Sequence, residues 1–284
     1  MQKIILVTGA NKGIGKAICQ RIVAEHTDTF VLLGSRDAGR GAAAVDSIVQ
    51  AVGESARSRI SVLPLDVSDD SSVQAAAVAV AERFASTSPA PLYAIVNNAG
   101  IFTGKDLDSG IQTNIFGPYR VCNAFIPLLS KDNGRIVNVA SAAGPMFVDQ
   151  LPEADKAFFL GGSTVWSHID EKVQFARTAP DSWSSHNPEW FPYGFAKACL
   201  NVYTMQLARA HPSLTVSSCT PGLIATDLAL GAGLNASKSP EEGAVSPLFG
   251  LFGEGVVSGA YYGSDAVRSP LDKYRGPGDP PYEP

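Results

Sequence analysis

The sequence of 284 residues is poor in charged side chains and has no excess of positive charge. Charged residues make up 17%, against about 25% in an average globular protein. Together with 45% apolar residues, this excludes a disordered chain and predicts a large buried core. The net charge of −5 leaves no basic field for a nucleic acid, so we expect no such partner.

Cysteine is scarce as well, and long apolar runs are missing. Cys19, Cys122, Cys199 and Cys219 lie far apart and include no C-x-x-C pair. This excludes a disulfide scaffold and a cysteine zinc site, and it is typical of a reducing compartment. The N-terminal apolar run is too short for a signal peptide, and no run approaches the ~18 residues of a membrane span. We therefore expect a cytoplasmic protein with no membrane partner.

Short apolar runs alternate with stretches of helical periodicity along the chain. Strands are predicted at Ile4–Val7, Phe30–Leu33, Arg59–Leu65, Leu92–Val96, Gly134–Val139, Leu214–Cys219 and Gly259–Tyr262. Helices are predicted over Lys12–Glu25, Ala42–Ala51, Ser71–Phe84, Asn114–Leu129 and Tyr193–Ala210. This alternation predicts an α/β fold: one doubly wound, Rossmann-type parallel sheet flanked by helices, in a single domain over residues 1–284. A tail rich in Pro and Gly, Gly276–Pro284, is expected to be extended or disordered.

A glycine-rich turn, TGANKGIG at Thr8–Gly15, follows the first predicted strand and opens the first predicted helix. Its three glycines permit a tight turn and close approach of the backbone to a pyrophosphate. The helix N-terminus offers free N–H groups to that anion. Such a turn alone is often only a turn, but between a strand and a helix it predicts nucleotide binding.

The spacing Gly-x-x-x-Gly-x-Gly resembles that of the short-chain dehydrogenase/reductase family rather than the common dinucleotide fingerprint. Later motifs resemble the same family and follow its order: Asp66-Val67, Asn97-Asn98-Ala99-Gly100, Asn114, Ser141, Tyr193-x-x-x-Lys197, and Pro221-Gly222 with Thr226. The resemblance implies an oxidoreductase that transfers a hydride between a nicotinamide cofactor and a small-molecule carbonyl compound or alcohol.

The resemblance also implies where that cofactor binds. The residues are Gly9, Asn11, Lys12, Gly13, Ile14, Gly15, Arg36, Asp66, Val67, Asn98, Ala99, Gly100, Tyr193, Lys197, Pro221, Gly222, Ile224 and Thr226. In the family, the carboxylate at the Asp66 position bonds the adenine and the residue at the Val67 position backs the ring. The Asn98–Gly100 segment would line a ribose of the cofactor, and Thr226 would hold the nicotinamide amide or a phosphate.

Two cations favour NADP(H) over NAD(H). Ser35 stands where NAD-binding folds usually carry an acid for the ribose 2′-hydroxyl, and Arg36 and Lys12 stand at the family positions for NADP. A 2′-phosphate favours a guanidinium fork and a second cation, so we expect both to converge on it. The alternative is that both are solvated surface charges. Asp37 either pairs with Arg36 or caps the next helix.

The predicted catalytic set is Asn114, Ser141, Tyr193 and Lys197. Tyr193 and Lys197 are spaced i, i+4, so on a helix they share one face, and the ammonium is expected to lower the pKa of the phenol. Tyr193 would then exchange a proton with a substrate oxygen that Ser141 orients. Taken alone, Tyr193 and Lys197 also fit an ordinary exposed pair on a helix, and Ser141 also fits an ordinary serine in a turn.

The resemblance gives Asn114 a place in a proton relay, through a water held by its main-chain carbonyl. Pro118 has no N–H, so the Asn114 carbonyl cannot receive its usual helical hydrogen bond, and Gly117 further loosens the turn. We hypothesise that the freed carbonyl accepts from water or from Lys197.

The stretch from Ser141 to Tyr193 is longer than in most members of the family, and it resembles the helical insertion of the monomeric NADPH-dependent carbonyl reductases. Helices are predicted in it over Pro152–Leu160 and Val165–Thr178. The insert, about residues 145–190, would cover the surface that other members use to oligomerise, which implies a monomer. The alternative is an insert that only shapes the mouth of the substrate pocket.

Apolar side chains near Ser141 and Tyr193 leave two interpretations open. They are Met146, Phe147, Trp183, Trp190 and Phe191. They would line an apolar pocket for a bulky ketone, aldehyde or quinone, or form the small core of the insert. Relatives often have an aromatic residue where this chain has Leu223.

These features predict an NADPH-dependent carbonyl reductase with Tyr193 as the proton donor. A catalytically weak NADP(H)-sensing protein on the same fold is an alternative, as is alcohol oxidation as the physiological direction. A sugar-nucleotide epimerase would need a C-terminal substrate domain, for which little chain follows Pro221. His26, His168, His186 and His211 do not share a ligand-like spacing, so no metal site is expected.

Overall fold

The computed structural model of the protein describes residues 2–104, 106–179 and 189–283. Its strands are β1 (Lys3–Val7), β2 (Thr29–Ser35), β3 (Ile60–Pro64), β4 (Leu92–Asn97), β5 (Arg135–Val139), β6 (Thr215–Cys219), β7 (Tyr261–Tyr262) and β8 (Arg268–Ser269). They form one sheet in the order β3-β2-β1-β4-β5-β6-β7-β8. All neighbouring pairs are parallel except β7 and β8. The sheet therefore has the doubly wound topology that the sequence predicts.

Helices cover both faces of this sheet. The larger ones are α1 (Gly13–Glu25), α2 (Ala38–Val52), α3 (Asp70–Phe84), α4 (Leu107–Asn114), α5 (Phe116–Phe125), α6 (Ala143–Asp149), α7 (Glu153–Leu160), α8 (Trp166–Thr178) and α9 (Phe191–Ala210). Three short helices come after β6, namely α10 (Asp227–Gly231), α11 (Pro240–Gly243) and α12 (Val245–Phe252). Two 3₁₀ turns, Glu54–Arg59 and Ile126–Leu128, complete the helical segments of the described residues.

The alternation of buried side chains along β1 explains the two layers of the core. Ile4 and Leu6 belong to one apolar cluster, and Ile5 and Val7 belong to the other. Successive side chains of a strand point to opposite faces, so a strand buried on both faces must be apolar throughout. All seven residues of β2 are buried for the same reason.

The helix predicted around Asn114–Leu129 is interrupted in the structure. Helix α4 ends at Asn114 and α5 begins at Phe116, with Ile115 between them. The break lies where Pro118 removes the N–H that would bond the Asn114 carbonyl. The predicted helix is therefore present as α5 and the 3₁₀ turn Ile126–Leu128, whereas α4 before it was not predicted.

The insertion between β5 and α9 folds largely into helices. The two predicted helices are present as α7 and α8, and α6 precedes them. Trp166 of α8 stacks on Tyr119 of α5 with ring centroids 3.5 Å apart and an interplanar angle of 11°. The same indole meets the ring of Tyr203 of α9 edge to face. The insert therefore packs on the outer surface of α5 and α9.

The C-terminal tail is irregular but attached to the sheet. The Tyr282 N–H donates to the Arg268 carbonyl oxygen of β8 at 3.0 Å, and the Gly278 N–H donates to Asp265 Oδ2 at 3.1 Å. The short antiparallel strand β8, which sequence patterning missed, supplies this attachment. No helix in the described ranges is long and apolar enough to cross a bilayer.

Candidate active site

A cleft of about 1080 Å³ runs along the carboxyl ends of the strands. It brings together Ser141 and all of the predicted cofactor-binding residues, which come from segments that are remote from one another in sequence. Asn114 is the one predicted site residue that does not line it, since its side chain is buried behind the wall. The placement at the sheet edge agrees with the general rule for doubly wound folds.

Backbone packing at one end of the cleft explains why the turn there is rich in glycine. Gly9 has a φ of +60°, and a methyl group on it would lie 2.7 Å from Ala99 Cα. A methyl group on Gly15 would lie 2.4 Å from Asn98 Nδ2. That amide donates to the carbonyl oxygens of Thr8 and Gly9 at 2.9 and 3.1 Å. The turn is thereby held against the end of β4.

The N-terminus of α1 faces the cleft without a capping side chain. Lys12 occupies the cap position with no side-chain cap, and the first turn contains no acidic residue. The free N–H groups in the first turn of α1 and the dipole of this helix therefore favour an anionic group at this end of the cleft. Ile14 and Ile224 both contact Gly243, which fixes the neighbouring segment against α1.

The two cations predicted to share a phosphate are arranged differently in the structure. Arg36 is exposed at the cleft, and within the described ranges it has neither a hydrogen bond nor an ion pair. Lys12 instead forms an exposed ion pair with Asp227 Oδ2 at 2.6 Å. The prediction that Lys12 and Arg36 converge on one phosphate position is therefore not met, because Lys12 is paired with Asp227. Asp227 lies close because Thr226, the cap of α10, contacts Gly13.

Asp37 caps a helix and does not neutralise Arg36. Its Oδ1 accepts from the Arg40 N–H at 2.8 Å, and its Oδ2 lies 3.2 Å from Arg40 Nε. These contacts lower the pKa of the Asp37 carboxyl, with the backbone hydrogen bond from Arg40 as the largest cause. Of the two possibilities for Asp37, the cap is the one observed, and the charge of Arg36 stays available to a ligand.

Asp66 lies at the end of β3 in a tight turn. Its Oδ1 accepts from the N–H and the hydroxyl of Ser68 at 2.9 and 2.6 Å. The cap of α3 is Asp69 rather than Asp66, since Asp69 Oδ1 accepts from the Ser71 N–H. Val67, which is buried, packs against Gly117. The carboxylate of Asp66 therefore faces the cleft without being needed by the helix.

At the other end of the cleft, Tyr193, Ser141 and Lys197 come together. A hydrogen bond from Ser141 lowers the pKa of Tyr193, but burial raises it by more, so the value rises to about 12. The Lys197 Nζ lies 5.6 Å from the centroid of the Tyr193 ring. The net result is a raised pKa, because desolvation outweighs the hydrogen bond from Ser141, and the effect of Lys197 on the phenol stays a prediction.

Lys197 is the most deeply buried cation of this cluster. Its Nζ donates to the Val139 carbonyl oxygen at 2.9 Å, and the residue is 3% exposed. Burial lowers its pKa to about 8, because a charge without a nearby carboxylate is costly in a dry site. At neutral pH it is still largely protonated, so the cleft wall carries a positive charge beside Tyr193.

Asn114 supports this cluster through its side chain. Its Oδ1 accepts from the Ile101 N–H at 3.0 Å, and its Nδ2 donates to the Ile101 carbonyl oxygen at 2.9 Å. A methyl group on Gly100 would lie 3.1 Å from Asn114 Oδ1 and 3.4 Å from Lys197 Nζ. The helix break at Ile115 fits the freed-carbonyl hypothesis, whereas Lys197 donates to Val139 instead. The relay itself stays a prediction.

The four described apolar residues named from the sequence all line the cleft, and two of them are also buried in the core. Phe147 and Phe191 are buried and pack on each other at 5.9 Å. Met146 is 48% exposed at the rim, and Trp190 lies 6.3 Å from the ring of Tyr193. Both interpretations are therefore partly correct. Trp183 and His186 lie outside the described residues.

Several residues of the cleft wall were missed by sequence reasoning. Phe102 packs on Trp190 at 4.8 Å and on Tyr193 at 5.7 Å between ring centroids. Its position two residues after Gly100 was the available signal. Tyr274 and Arg275 also line the cleft, and no local pattern points to them. In the described ranges no group of His, Cys, Asp and Glu has the arrangement of a metal site.

Comparison with known proteins agrees with this geometry. A family model described as short chain dehydrogenase matches residues 3–153. The chain is 32% identical over 275 residues to (+)-neomenthol dehydrogenase of Arabidopsis thaliana, covering 86% of this chain and 89% of that protein. It is 31% identical over 265 residues to carbonyl reductase (NADPH) 3 of Mus musculus, covering 87% and 90%. Menthone neomenthol reductase from Mentha piperita superposes with a TM-score of 0.76 at 25% identity, covering 93% and 99%.

Proposed function

Because this chain belongs to the short-chain dehydrogenase family of oxidoreductases, we propose that it reduces a ketone, aldehyde or quinone to the alcohol with NADPH. The observation that carries the proposal is the contact between Tyr193, Ser141 and Lys197 in the same cleft as the glycine turn. The relatives that it resembles include reductases of carbonyl compounds, as their names state.

The residues of the cleft fit a pyridine dinucleotide. Gly9, Gly13 and Gly15 line the cleft without side chains, which allows a pyrophosphate to approach the backbone closely. The uncapped start of α1 would hold the phosphates, and Asp66 would bond the adenine. A bound NADPH supplies the hydride in this chemistry.

The chain's own side chains account for the proton. Tyr193 keeps its proton across the physiological range, because its pKa lies near 12, and it donates that proton to the carbonyl oxygen as an alkoxide develops. Ser141 donates a hydrogen bond to the same oxygen and orients it. Lys197 contributes a positive charge beside the phenol and would orient the ribose.

The preference for NADPH rests on the exposed guanidinium of Arg36. The Asp37 carboxylate pairs with Arg40, so Arg36 is free to bind a 2′-phosphate. Lys12 would reach the same phosphate only after leaving Asp227, and an exposed pair of this kind costs little to break. The NADPH in the name of the mouse relative supports the same assignment.

We also propose that the protein is a monomer of the cytoplasm. The stacking of Trp166 on Tyr119 covers α5, a surface that would otherwise be free for a second subunit. Light scattering after gel filtration should give one 29.8 kDa chain, and a mass of twice that value would reject the proposal. The cytoplasmic location is consistent with four cysteines that are free and buried.

The test of the enzymatic proposal is the Tyr193→Phe variant. The loss of absorbance at 340 nm is followed with NADPH and a panel of aldehydes, ketones and quinones. The variant should lose at least about 100-fold in kcat, because no other group replaces the general acid, while NADPH affinity changes little. Tyr282→Phe, which removes a hydroxyl from the exposed tail, is the matched control. Unchanged turnover in Tyr193→Phe would reject Tyr193 as the proton donor.

A further inference from the structure

The chain returns to the cleft near its C-terminus, in a segment to which the sequence assigned no role. After β8, Tyr274 and Arg275 line the cleft together with Ser264. Ser264 lies against Gly222, where a methyl group would be 3.1 Å from Ser264 Cβ. The segment therefore meets the cleft beside the Pro221-Gly222 turn.

A buried ion pair holds this segment in place. Arg275 Nη2 donates to both carboxylate oxygens of Asp265 at 2.6 Å, and Nη1 donates to Oδ2 at 3.0 Å. The two side chains are 5% and 23% exposed, which makes this the most buried ion pair found in the described ranges. A bidentate pair of this kind fixes the orientation of both groups as well as their distance.

Further contacts tighten the same attachment. Arg275 Nη1 donates to the Gly276 carbonyl oxygen at 2.7 Å, and the Gly278 N–H donates to Asp265 Oδ2 at 3.1 Å. A methyl group on Gly263 would lie 2.7 Å from Asp265 Oδ1 and 3.5 Å from Arg275 Nη2. The hairpin of β7 and β8 and the tail are thus packed closely around one carboxylate.

Tyr274 is the residue that this attachment presents to the cleft. It lines the cleft and is 53% exposed, although the next residue, Arg275, is buried. The side chain is therefore accessible to a molecule that enters the cleft.

The other apolar side chains on the rim share this exposure. Met146 and Leu223 are each 48% exposed while lining the cleft. An exposed apolar rim of this kind is typical of a surface that an apolar ligand covers. An aromatic ring that is held rigidly contributes contact area at a low cost in conformational entropy.

Resting on the proposed carbonyl reductase activity, we infer that Tyr274 contacts the apolar body of a bulky carbonyl substrate and thereby selects for large substrates. Arg275 and Asp265 are positioning residues for that ring. Tyr274 takes no part in proton transfer, which stays with Tyr193.

The test compares two substrates in Tyr274→Ala, Tyr274→Phe and the control Tyr282→Ala. The substrates are a two-ring aromatic ketone and a short aliphatic aldehyde. Tyr274→Ala should raise KM for the ketone about five- to tenfold and change KM for the aldehyde less than twofold, because only the large substrate reaches the ring. Tyr274→Phe should restore most of the preference, since the ring and not the hydroxyl makes the contact. Tyr282 is an exposed tyrosine of the same tail that does not line the cleft.

Affinity for NADPH, measured by quenching of protein fluorescence, should stay within about twofold in Tyr274→Ala and Tyr274→Phe. A wild-type protein that reduces no compound of the panel of aldehydes, ketones and quinones would overturn the proposed function and this inference with it. An active wild type whose KM ratio is unchanged by Tyr274→Ala would overturn the inference alone. Equal losses with both substrates would do so as well, because they would indicate a general structural defect.

The ion pair is tested by Arg275→Lys, which keeps the charge but not the fork. It should shift the ratio of the two KM values in the same direction as Tyr274→Ala, by about two- to fivefold. Arg57→Lys is the control, since Arg57 also forms ion pairs, with Asp46 and Glu54, but is 49% exposed. A lower melting temperature in Arg275→Lys with an unchanged KM ratio would reject the positioning role of the pair.

Discussion

The two ends of the cleft are built in different ways. The end beside α1 is made of backbone turns, small residues and exposed charges, and its central part is the contiguous segment Thr8–Gly15. The end beside Tyr193 is made largely of aromatic side chains from separate segments, including Phe102 and Trp190. The first suits an anion with a fixed shape, and the second suits an apolar molecule whose shape can vary.

This difference shows which part of a site tolerates change. At the glycine turn, the close approach of Gly15 to Asn98 leaves no room for an added atom. At the aromatic end, half-exposed side chains such as Met146 can be exchanged without disturbing the core. We therefore expect mutations at the first end to affect cofactor binding and those at the second to affect substrate choice.

The largest effect is expected from Gly15→Ala. The added methyl group would overlap Asn98 Nδ2 at 2.4 Å and the Gly9 carbonyl oxygen at 2.7 Å, so the turn must shift. We expect a total loss of about 2–3 kcal/mol, divided between the binding free energy of NADPH and the free energy of unfolding. Fluorescence titration measures the first and urea unfolding the second. Gly162→Ala is the control, because no atom lies within 4 Å of a methyl group there. If Gly15→Ala altered only the choice of substrate, the division of labour between the two ends would be wrong.

A smaller effect is expected from Arg36→Asp at the same end. The ratio of kcat/KM for NADPH to that for NADH should fall about ten- to hundredfold, because a charge-assisted contact to phosphate is replaced by repulsion. Arg57→Asp is the control, because it changes the net charge equally, and Arg57 pairs with neither Arg36 nor Asp37 and does not line the cleft. A comparable fall in both variants would mean that the general field, and not a specific contact, sets the preference. A wild type that prefers NADH would contradict the NADP assignment directly.

The smallest effect concerns the pH dependence of stability at the aromatic end. Burial lowers the pKa of Lys197 to about 8, so the unfolded chain binds a proton there more strongly than the folded one between about pH 8 and pH 10. The cost of burying the charge is therefore present at neutral pH and is relieved as pH rises through 8. Between pH 7.5 and pH 9.5, the free energy of unfolding measured in urea should rise by roughly 1–2 kcal/mol more in wild type than in Lys197→Met.

The comparison with Lys197→Met is needed because other buried groups titrate in the opposite sense. Burial raises the pKa of all four cysteines, so stability is lost above the thiol pKa of the unfolded chain. The contributions of Cys19, Cys122 and Cys199 are common to both proteins and cancel in the difference, whereas Cys219 interacts with Lys197 and cancels only in part. An identical pH dependence in wild type and variant would show that Lys197 is not desolvated as the structure indicates.

Particular residues show how far sequence reasoning reached. The buried strands and the turn at Thr8–Gly15 were predictable, because each depends on neighbours in sequence. The cap formed by Asp37 was one of two stated options, and the structure selected it. The pairing of Lys12 with Asp227 was missed, because it joins residues on two loops that are remote in sequence. The raised pKa of Tyr193 was missed for a related reason, since desolvation depends on everything that packs around the ring.

Local sterics and periodicity control the alternation of strands and helices, the glycine turn and the spacing of Tyr193 and Lys197, so the order of residues alone accounts for all three. The path of the tail, in contrast, depends on the folded chain. Tyr274 reaches the cleft because Arg275 meets Asp265 on the hairpin of β7 and β8. Such a contact depends on how the last strands attach to the sheet, and charge pairing across a loop leaves no periodic trace in the sequence.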